Sequence, residues 1–242
     1  MTVLLTIRNG KNIKVFEKIQ REIAFLREEL FWRYWFTTKG ISSAVPLDQL
    51  LDPNLPFPEL LRPFAESLPH DVLKVLDVGA GPCTHIGRKH PSKTIEVTAT
   101  DILASRYQKI MDGRKIVPPV QTVYADAEAL TKTFPKKFFD MAVANNSLDH
   151  CATPFKAIQE MLEVVKTGGY VILRHRENEA VRAKYHGLHQ WNFLLAEGKT
   201  ILWSRHEKID LSGAFATYAT INIVPDPEHV IMVMRKMEEP AC

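Results

Sequence analysis

Two stretches of this chain carry the residue types from which a reactive site could be built. The first is Val75-Leu76-Asp77-Val78-Gly79-Ala80-Gly81-Pro82-Cys83, where apolar residues flank a single acid and run into two glycines. A buried strand that breaks into a glycine turn leaves no side chain over its backbone N–H groups, so a ligand can approach them closely. The second runs from His175-Arg176-Glu177-Asn178-Glu179 past Arg182 to Tyr185-His186-Gly187-Leu188-His189-Gln190-Trp191-Asn192. Histidines, carboxylates, arginines, amides and aromatics are concentrated there, which suits holding a polar molecule and moving a proton. Histidine fits the second task because its unperturbed pKa of about 6.5 lies close to neutrality. His189 and His150 are therefore the first candidates for a general base, and Glu177, directly after an expected strand, is the next. His186 and His189 stand three apart and would share one helical face, but no spacing here supplies a third ligand, so no metal site is expected.

The elements that must position these groups follow from periodicity. Phe16, Ile19, Ile23, Leu26, Leu30 and Tyr34 recur at steps of three and four, which predicts a long amphipathic helix from Phe16 to about Thr38. Its end is crowded with Phe31, Trp32, Tyr34, Trp35 and Phe36, more aromatic surface than one stripe needs. Part of that surface is expected to pack on another element or over a pocket. Six prolines between Pro46 and Pro69 break the next segment into loops and short helices, with Phe57 to Leu68 the best helical stretch. Residues 1–70 thus read as a helical appendage or lid, and residues 71–242 as the main domain.

From Leu73 the pattern changes. Strands are expected at Leu73 to Val78, Ile95 to Thr100, Val120 to Tyr124, Phe139 to Asn145 and Gly169 to Arg174. Helical segments near Thr84 to Lys89, Ala104 to Met111, Ala127 to Thr131 and Pro154 to Val165 alternate with them. Thr200 to Arg205, Tyr218 to Val224 and Val230 to Arg235 then follow as strands, the last two joined by the turn Pro225-Asp226-Pro227-Glu228. This order predicts an α/β fold: a doubly wound, Rossmann-like sheet of seven mostly parallel strands with an antiparallel C-terminal hairpin.

Composition removes several classes of function. The 31 basic residues exceed the 28 acidic ones by only 3, too small an excess to argue for nucleic acid or membrane binding, neither of which is expected, and 45% hydrophobic content supports a full core. Cys83, Cys151 and Cys242 form no CxxC pair, so neither a disulfide framework nor a zinc site is indicated, and a reducing compartment fits. No stretch has the length of a membrane span or the pattern of a secretory leader, so the expectation is a soluble, cytoplasmic protein. The oligomeric state is open, with a homodimer among the options.

In an open α/β sheet the turn after the first strand lies in the ligand crevice. A dinucleotide would want G-x-G-x-x-G/A there, with a helix N-terminus facing its pyrophosphate. Here Pro82 and Thr84 degrade that pattern, and Asp77 precedes the first glycine. An acid would repel a pyrophosphate but suits a ligand that carries an ammonium and a sulfonium.

At this point the chain resembles the class I S-adenosylmethionine-dependent methyltransferases, of the type-11-like domain, over most of residues 72–177. Val72 to Gly87, with Asp77, Gly79, Ala80 and Gly81, looks like the first motif of that family, although Cys83 stands where a third glycine is common. Asp101, 20 residues past Gly81 and followed by Ile102, resembles the carboxylate that accepts from both ribose hydroxyls. Asp126-Ala127 looks like the adenine-holding segment, and Asn145-Asn146-Ser147-Leu148-Asp149-His150 like the motif along the methionine part of the ligand. The resemblance implies S-adenosyl-L-methionine as cofactor and puts the methyl acceptor near the ends of the fourth and fifth strands. On that basis His175, Arg176, Asn178, His186 and Trp191 are acceptor-binding candidates, beside His150, His189 and Glu177 as catalytic ones. The implied activity is methyl transfer to an oxygen or nitrogen of a small polar metabolite. An NAD(P)-dependent oxidoreductase and a catalytically silent cofactor-binding partner subunit stay open as alternatives.

Overall fold

The computed structural model describes residues 10–40 and 45–238, with side chains from residue 18 onward. The side chain of Phe16, residues 1–9 and 41–44 of the expected appendage, and Cys242 lie outside the described residues. Within them the chain forms α1 (Gly10–Thr37), α2 (Leu47–Leu50), α3 (Arg62–Glu66), β1 (Val72–Val78), β2 (Thr94–Asp101), α4 (Ala104–Asp112) and β3 (Val123–Tyr124). There follow β4 (Phe139–Asn145), α5 (Pro154–Val164), β5 (Val165–Arg176), α6 (Glu179–Arg182), β6 (Asn192–Ala196), β7 (Lys199–Trp203) and β8 (Lys208–Asp210). The last elements are α7 (Leu211–Phe215), β9 (Ala219–Val224) and β10 (His229–Lys236).

Seven strands make the central sheet in the order β3-β2-β1-β4-β5-β10-β9. β1 to β5 run parallel; β10 is antiparallel to β5 and to β9. The sheet is therefore Rossmann-like and mostly parallel with a C-terminal hairpin, as the sequence predicts. Side-chain alternation explains why both faces are covered. Leu73, Val75, Met141 and Val143 point to one face, where Phe57, Leu61, Ala65 and Leu68 pack on them. Leu76, Val78, Ala142 and Ala144 point to the other, against Ala157, Ile158 and Met161 of α5. No helix among the described residues is long and apolar enough to cross a membrane.

Four sequence expectations are corrected. No helix forms at Thr84 to Lys89. That segment is extended and pairs with the chain before α3, through Phe57 N–H to Lys89 O at 2.9 Å and Lys89 N–H to Leu55 O at 3.1 Å. Gly87 lies against the carbonyls of Leu55 and Pro56, leaving no room for a helix there. The stretch Phe57 to Leu68 is helical only at α3, and the third strand shrinks to two residues. The strand expected at Thr200 to Arg205 forms as β7, in a separate three-stranded sheet, β6-β7-β8. Its β6–β7 hairpin turns at Glu197 and Gly198, both with positive φ, a turn signal hidden inside the polar segment.

The fourth correction concerns α1. Its apolar stripe, Ile19, Ile23, Leu26, Leu30 and Tyr34, faces outward, with Leu30 64% and Tyr34 66% exposed. The docked face is instead Phe25, Trp32, Trp35 and Phe36, packed with Leu103, Tyr107, Ile110 and Met111 around α4. Arg106 fixes this rotation by bonding Glu22 at 2.8 Å and Glu29 at 3.4 Å. The helix is apolar on two sides, so periodicity alone cannot choose the buried one.

Candidate functional site

The turn after β1 is built by backbone geometry. Gly79 and Gly81 adopt φ of +72° and +65°, the left-handed region that glycine enters without strain. The N–H groups of Gly79 and Ala80 both donate to Thr100 O, at 2.8 and 2.9 Å, tying the turn to the end of β2. From the other side Ser147 Oγ donates to Val78 O at 2.7 Å. A Cβ on Gly79 would collide with the Ser147 side chain, and one on Gly81 would come within 3.0 Å of Trp32. The missing Cβ atoms are what let these elements close on the turn.

Asp101 ends β2 facing the turn. One carboxylate oxygen accepts from Gly81 N–H at 3.1 Å and the other from Leu103 N–H at 2.8 Å. Each oxygen keeps a lone pair for a further donor. A cavity of about 230 Å³ lies over this group. Gly79, Ala80, Gly81, Asp101 and Ile102 line it from the first two strands, and Asp126, Ala127, Asn145, Asn146 and Ser147 from the next two. Asp126 also caps the short helical segment Ala127–Lys132, accepting from Glu128 N–H at 3.0 Å. The opposite wall is α1, through Arg21, Phe25, Glu28 and Trp32, with Trp32 Nε1 donating to Glu28 at 2.9 Å. Of these four only Trp32 belongs to the aromatic crowd noted in the sequence; the others sit on the less conspicuous face of the helix.

Asp77 does not line that cavity. Two-residue alternation puts it on the face of Leu73 and Val75, where it is buried, accepts from Thr84 Oγ1 at 2.6 Å and borders a cleft of about 90 Å³. Asn145 and Arg174 border the same cleft, and Arg174 donates to Asn145 Oδ1 at 3.1 Å. Gly79 and Ala80 belong to both spaces, so the turn separates a larger chamber from a small one that holds a carboxylate and a guanidinium.

A further chamber of about 450 Å³ shares Arg21, His150, Cys151 and Leu188 with the first and adds Tyr185 and His186. His150 stands at the junction. Its Nε2 lies 3.1 Å from His189 Nδ1, which in turn lies 2.6 Å from Asp149 Oδ2. Asp149 is buried. Burial opposes its charge, but His150 and His189 outweigh that and hold its carboxyl below the ordinary range. Burial likewise opposes a charged His189, yet the bond to Asp149 and its negative charge prevail and raise the imidazole above its usual value. Asp149 stood in the motif as read, but nothing in the spacing announced that a side chain 40 positions later would meet it.

The remaining predicted groups line neither chamber. Trp191 is buried and donates to Ala152 O at 3.3 Å. Asn178, at φ +55°, accepts from Trp203 Nε1 at 3.1 Å, and Arg176 is exposed near Glu179. Glu177 joins the backbone of β10 and β6, its N–H donating to Glu228 O at 3.2 Å. His175 is buried and stacked on Phe193, with ring centroids 4.0 Å apart; burial depresses its pKa to about 4, so it is neutral.

A family model for a methyltransferase domain matches residues 76–173, from the core of β1 to that of β5. Residues 76–173 thus resemble a methyltransferase domain. The match contains every group named on the sheet side of the cavity over the glycine turn, whereas α1 and the segment carrying His189 lie outside it. Among curated proteins the chain is 28% identical over 138 residues to the ubiquinone/menaquinone biosynthesis C-methyltransferase UbiE of Hydrogenovibrio crunogenus. That match covers 55% of this chain and 54% of the relative, so the chain spans about half the length of the curated relative it matches. Among solved structures, the CurJ carbon methyltransferase aligns with a TM-score of 0.51 at 16% identity, over 96% of this chain and 72% of that one, a likeness of fold. A SAM-dependent methyltransferase of Methanosarcina mazei aligns at 0.45 and 16% identity, over 76% and 100%.

The glycine turn carries a pH dependence. Burial, reinforced by nearby Glu28, lifts the Asp101 pKa to about 6 despite the two backbone donors. Burial and the charge of Asp101 lift Asp77 to about 6 against the Thr84 bond. Both folded values lie above the unfolded carboxylate, so the folded state takes these protons first and the two groups favour folding more as pH falls from 7 towards 5. Ligand binding that needs the Asp101 carboxylate moves the opposite way. Calorimetry with S-adenosylhomocysteine is expected to show the apparent Kd rising below pH 6, approaching tenfold per unit for one proton, and Asp101→Asn should lose that dependence.

Proposed function

We propose that this chain transfers a methyl group from S-adenosylmethionine to an oxygen or nitrogen of a small polar acceptor. The observation that carries this reading is one continuous space, with the glycine turn and Asp101 at one end and His150 at the other, opening there into a second chamber. The residues fit the cofactor. Asp101 has lone pairs free for ribose hydroxyls, and Asp126 stands at the end expected for the adenine amine. Glu28 adds a further acid to the cavity over the glycine turn, which favours a cationic guest. When bound, the cofactor supplies an electrophilic methyl on its sulfonium. The chain's part is to align the acceptor, exclude water through α1 and bring the acceptor to its nucleophilic form. The last task falls to the cluster at the chamber junction, where Asp149 and His189 favour an ionised acceptor group over a neutral one.

Among the described residues no helix begins directly after Gly81, which weighs against a dinucleotide, whose pyrophosphate would face the N-terminus of such a helix. Thermal melting separates the readings. S-adenosylmethionine or S-adenosylhomocysteine at about 100 times its Kd should stabilise the chain by roughly 2.7 kcal/mol, several degrees in Tm, while NADH and NADPH should leave it unmoved. A shift with the dinucleotides and none with the sulfur nucleosides would overturn the proposal. Turnover with candidate acceptors then distinguishes an enzyme from a silent cofactor-binding subunit.

A further inference from the structure

We infer that Asp149, His150 and His189 form a binding site for a divalent first-row transition cation at the acceptor end of the cavity. Asp149 Oδ2, His150 Nε2 and His189 Nδ1 make a triangle with sides of 2.6, 3.1 and 3.6 Å. A point about 2 Å from all three corners exists just off its plane, the length of metal–imidazole and metal–carboxylate bonds. One proton serves the His189–Asp149 pair but cannot satisfy all three groups at once. If His189 Nδ1 carries hydrogen it donates to Asp149, and His150 Nε2 then needs its lone pair turned to the same hydrogen. If His189 Nδ1 is bare, its lone pair faces the carboxylate at 2.6 Å. One cation satisfies all three lone pairs at once.

The surroundings hold the three groups in that position. Asp149 and His150 sit in the tight turn Leu148–His150 that follows β4, with Asp149 3% exposed. His189 is delivered by a loop in which Lys184, Tyr185 and Gly187 all have positive φ, a costly backbone path. Gln190 fastens that loop, its N–H donating to Asp149 O at 3.2 Å and its side-chain amide to the carbonyls of Tyr185 and Gly187 at 3.0 and 3.1 Å. Two imidazoles and one carboxylate suit zinc, manganese, iron, cobalt or nickel better than magnesium or calcium, which prefer all-oxygen sites. Three protein ligands also leave coordination positions open, and His150 borders both chambers, so an open position can face them. On the methyl-transfer reading, on which this last step rests, the cation would hold an ionisable oxygen of the acceptor as its anion. That selects a hydroxyl- or carboxylate-bearing acceptor over an amine.

The test uses tag-free full chain, stripped with a chelator and titrated separately with Mn(II), Ni(II) and Zn(II) by calorimetry, with S-adenosylhomocysteine melting run in parallel. One cation per chain is expected, with release of protons on binding. Affinity should fall at least about 100-fold in His189→Ala and in Asp149→Asn, more than loss of an outer-shell partner costs. The nucleoside-induced melting shift should persist in His189→Ala, which also shows that this variant is folded; His150→Gln serves as a second ligand variant. No binding of any of the three ions at millimolar concentration, or equal binding by the variants, would overturn the site and leave the cluster a proton relay. Cation binding at this site without a nucleoside shift would uphold the site and remove the methyl-transfer reading instead.

Discussion

Asp101→Ala is expected to weaken S-adenosylhomocysteine binding by about 100- to 10,000-fold at pH 7.5. The carboxylate has one lone pair free on each oxygen after serving Gly81 and Leu103, so it can accept two ribose hydroxyls at once. Hydrogen bonds to a charged group contribute about 1.5–3 kcal/mol each, and 1.4 kcal/mol is a factor of ten in Kd. The substitution also frees the Gly81 N–H, which loosens the turn that the ligand must meet. Its effect on stability should be far smaller than its effect on binding, because a carboxyl already pushed up to about 6 by burial is an unfavourable charge at neutral pH. Calorimetry at a fixed temperature is thus the right measurement, and an unchanged Kd would remove Asp101 from the ligand contacts.

The second large effect is on folding and binding together. Gly79→Ala is expected to cost about 2–4 kcal/mol of stability and to abolish nucleoside binding. Two causes add: alanine at φ +72° is strained, and its Cβ would overlap the Ser147 side chain, which holds Val78 O. Gly198 supplies the control. It has the same φ of +72°, but nothing lies within 4 Å of an added Cβ, so Gly198→Ala should cost only about 1 kcal/mol. Denaturant unfolding of the two variants separates conformational strain from collision. Gly79→Ala combined with Ser147→Gly should recover part of the loss, and no recovery would mean that the close approach of the two loops is not the cause.

Gly79 and Asp101 also mark how much a linear reading can reach. The parallel sheet was legible because strands buried on both faces are nearly continuous apolar runs; residues 139–145 matched the predicted strand at both ends. The ligand turn was legible because a positive φ demands glycine and because spacing fixes which residue ends the next strand. The helix expected at Thr84 to Lys89 was not refuted by local propensity but by residues 55–57, which take an extended segment as a partner. The face of α1 could not be read either. Its longest apolar stripe points outward, and the choice was made by Arg106 holding Glu22 and Glu29 and by Trp32 against Gly81.

The acceptor side divides in the same way. The histidines were conspicuous by type, but His175 is stacked inside the core while His189, fourteen positions on, meets Asp149 across a chain separation of 40. A site made within one strand and its turn is encoded by order and spacing, because the backbone itself carries the geometry. A site made between a turn after β4 and a strained loop before β6 depends on two paths converging in space. The sequence by itself therefore determined the sheet, the glycine turn and the carboxylate of Asp101 that faces it. Only the tertiary structure decided which face of α1 closes the cavity and which histidines share a single point, because both depend on contacts between segments whose separation leaves no periodic trace.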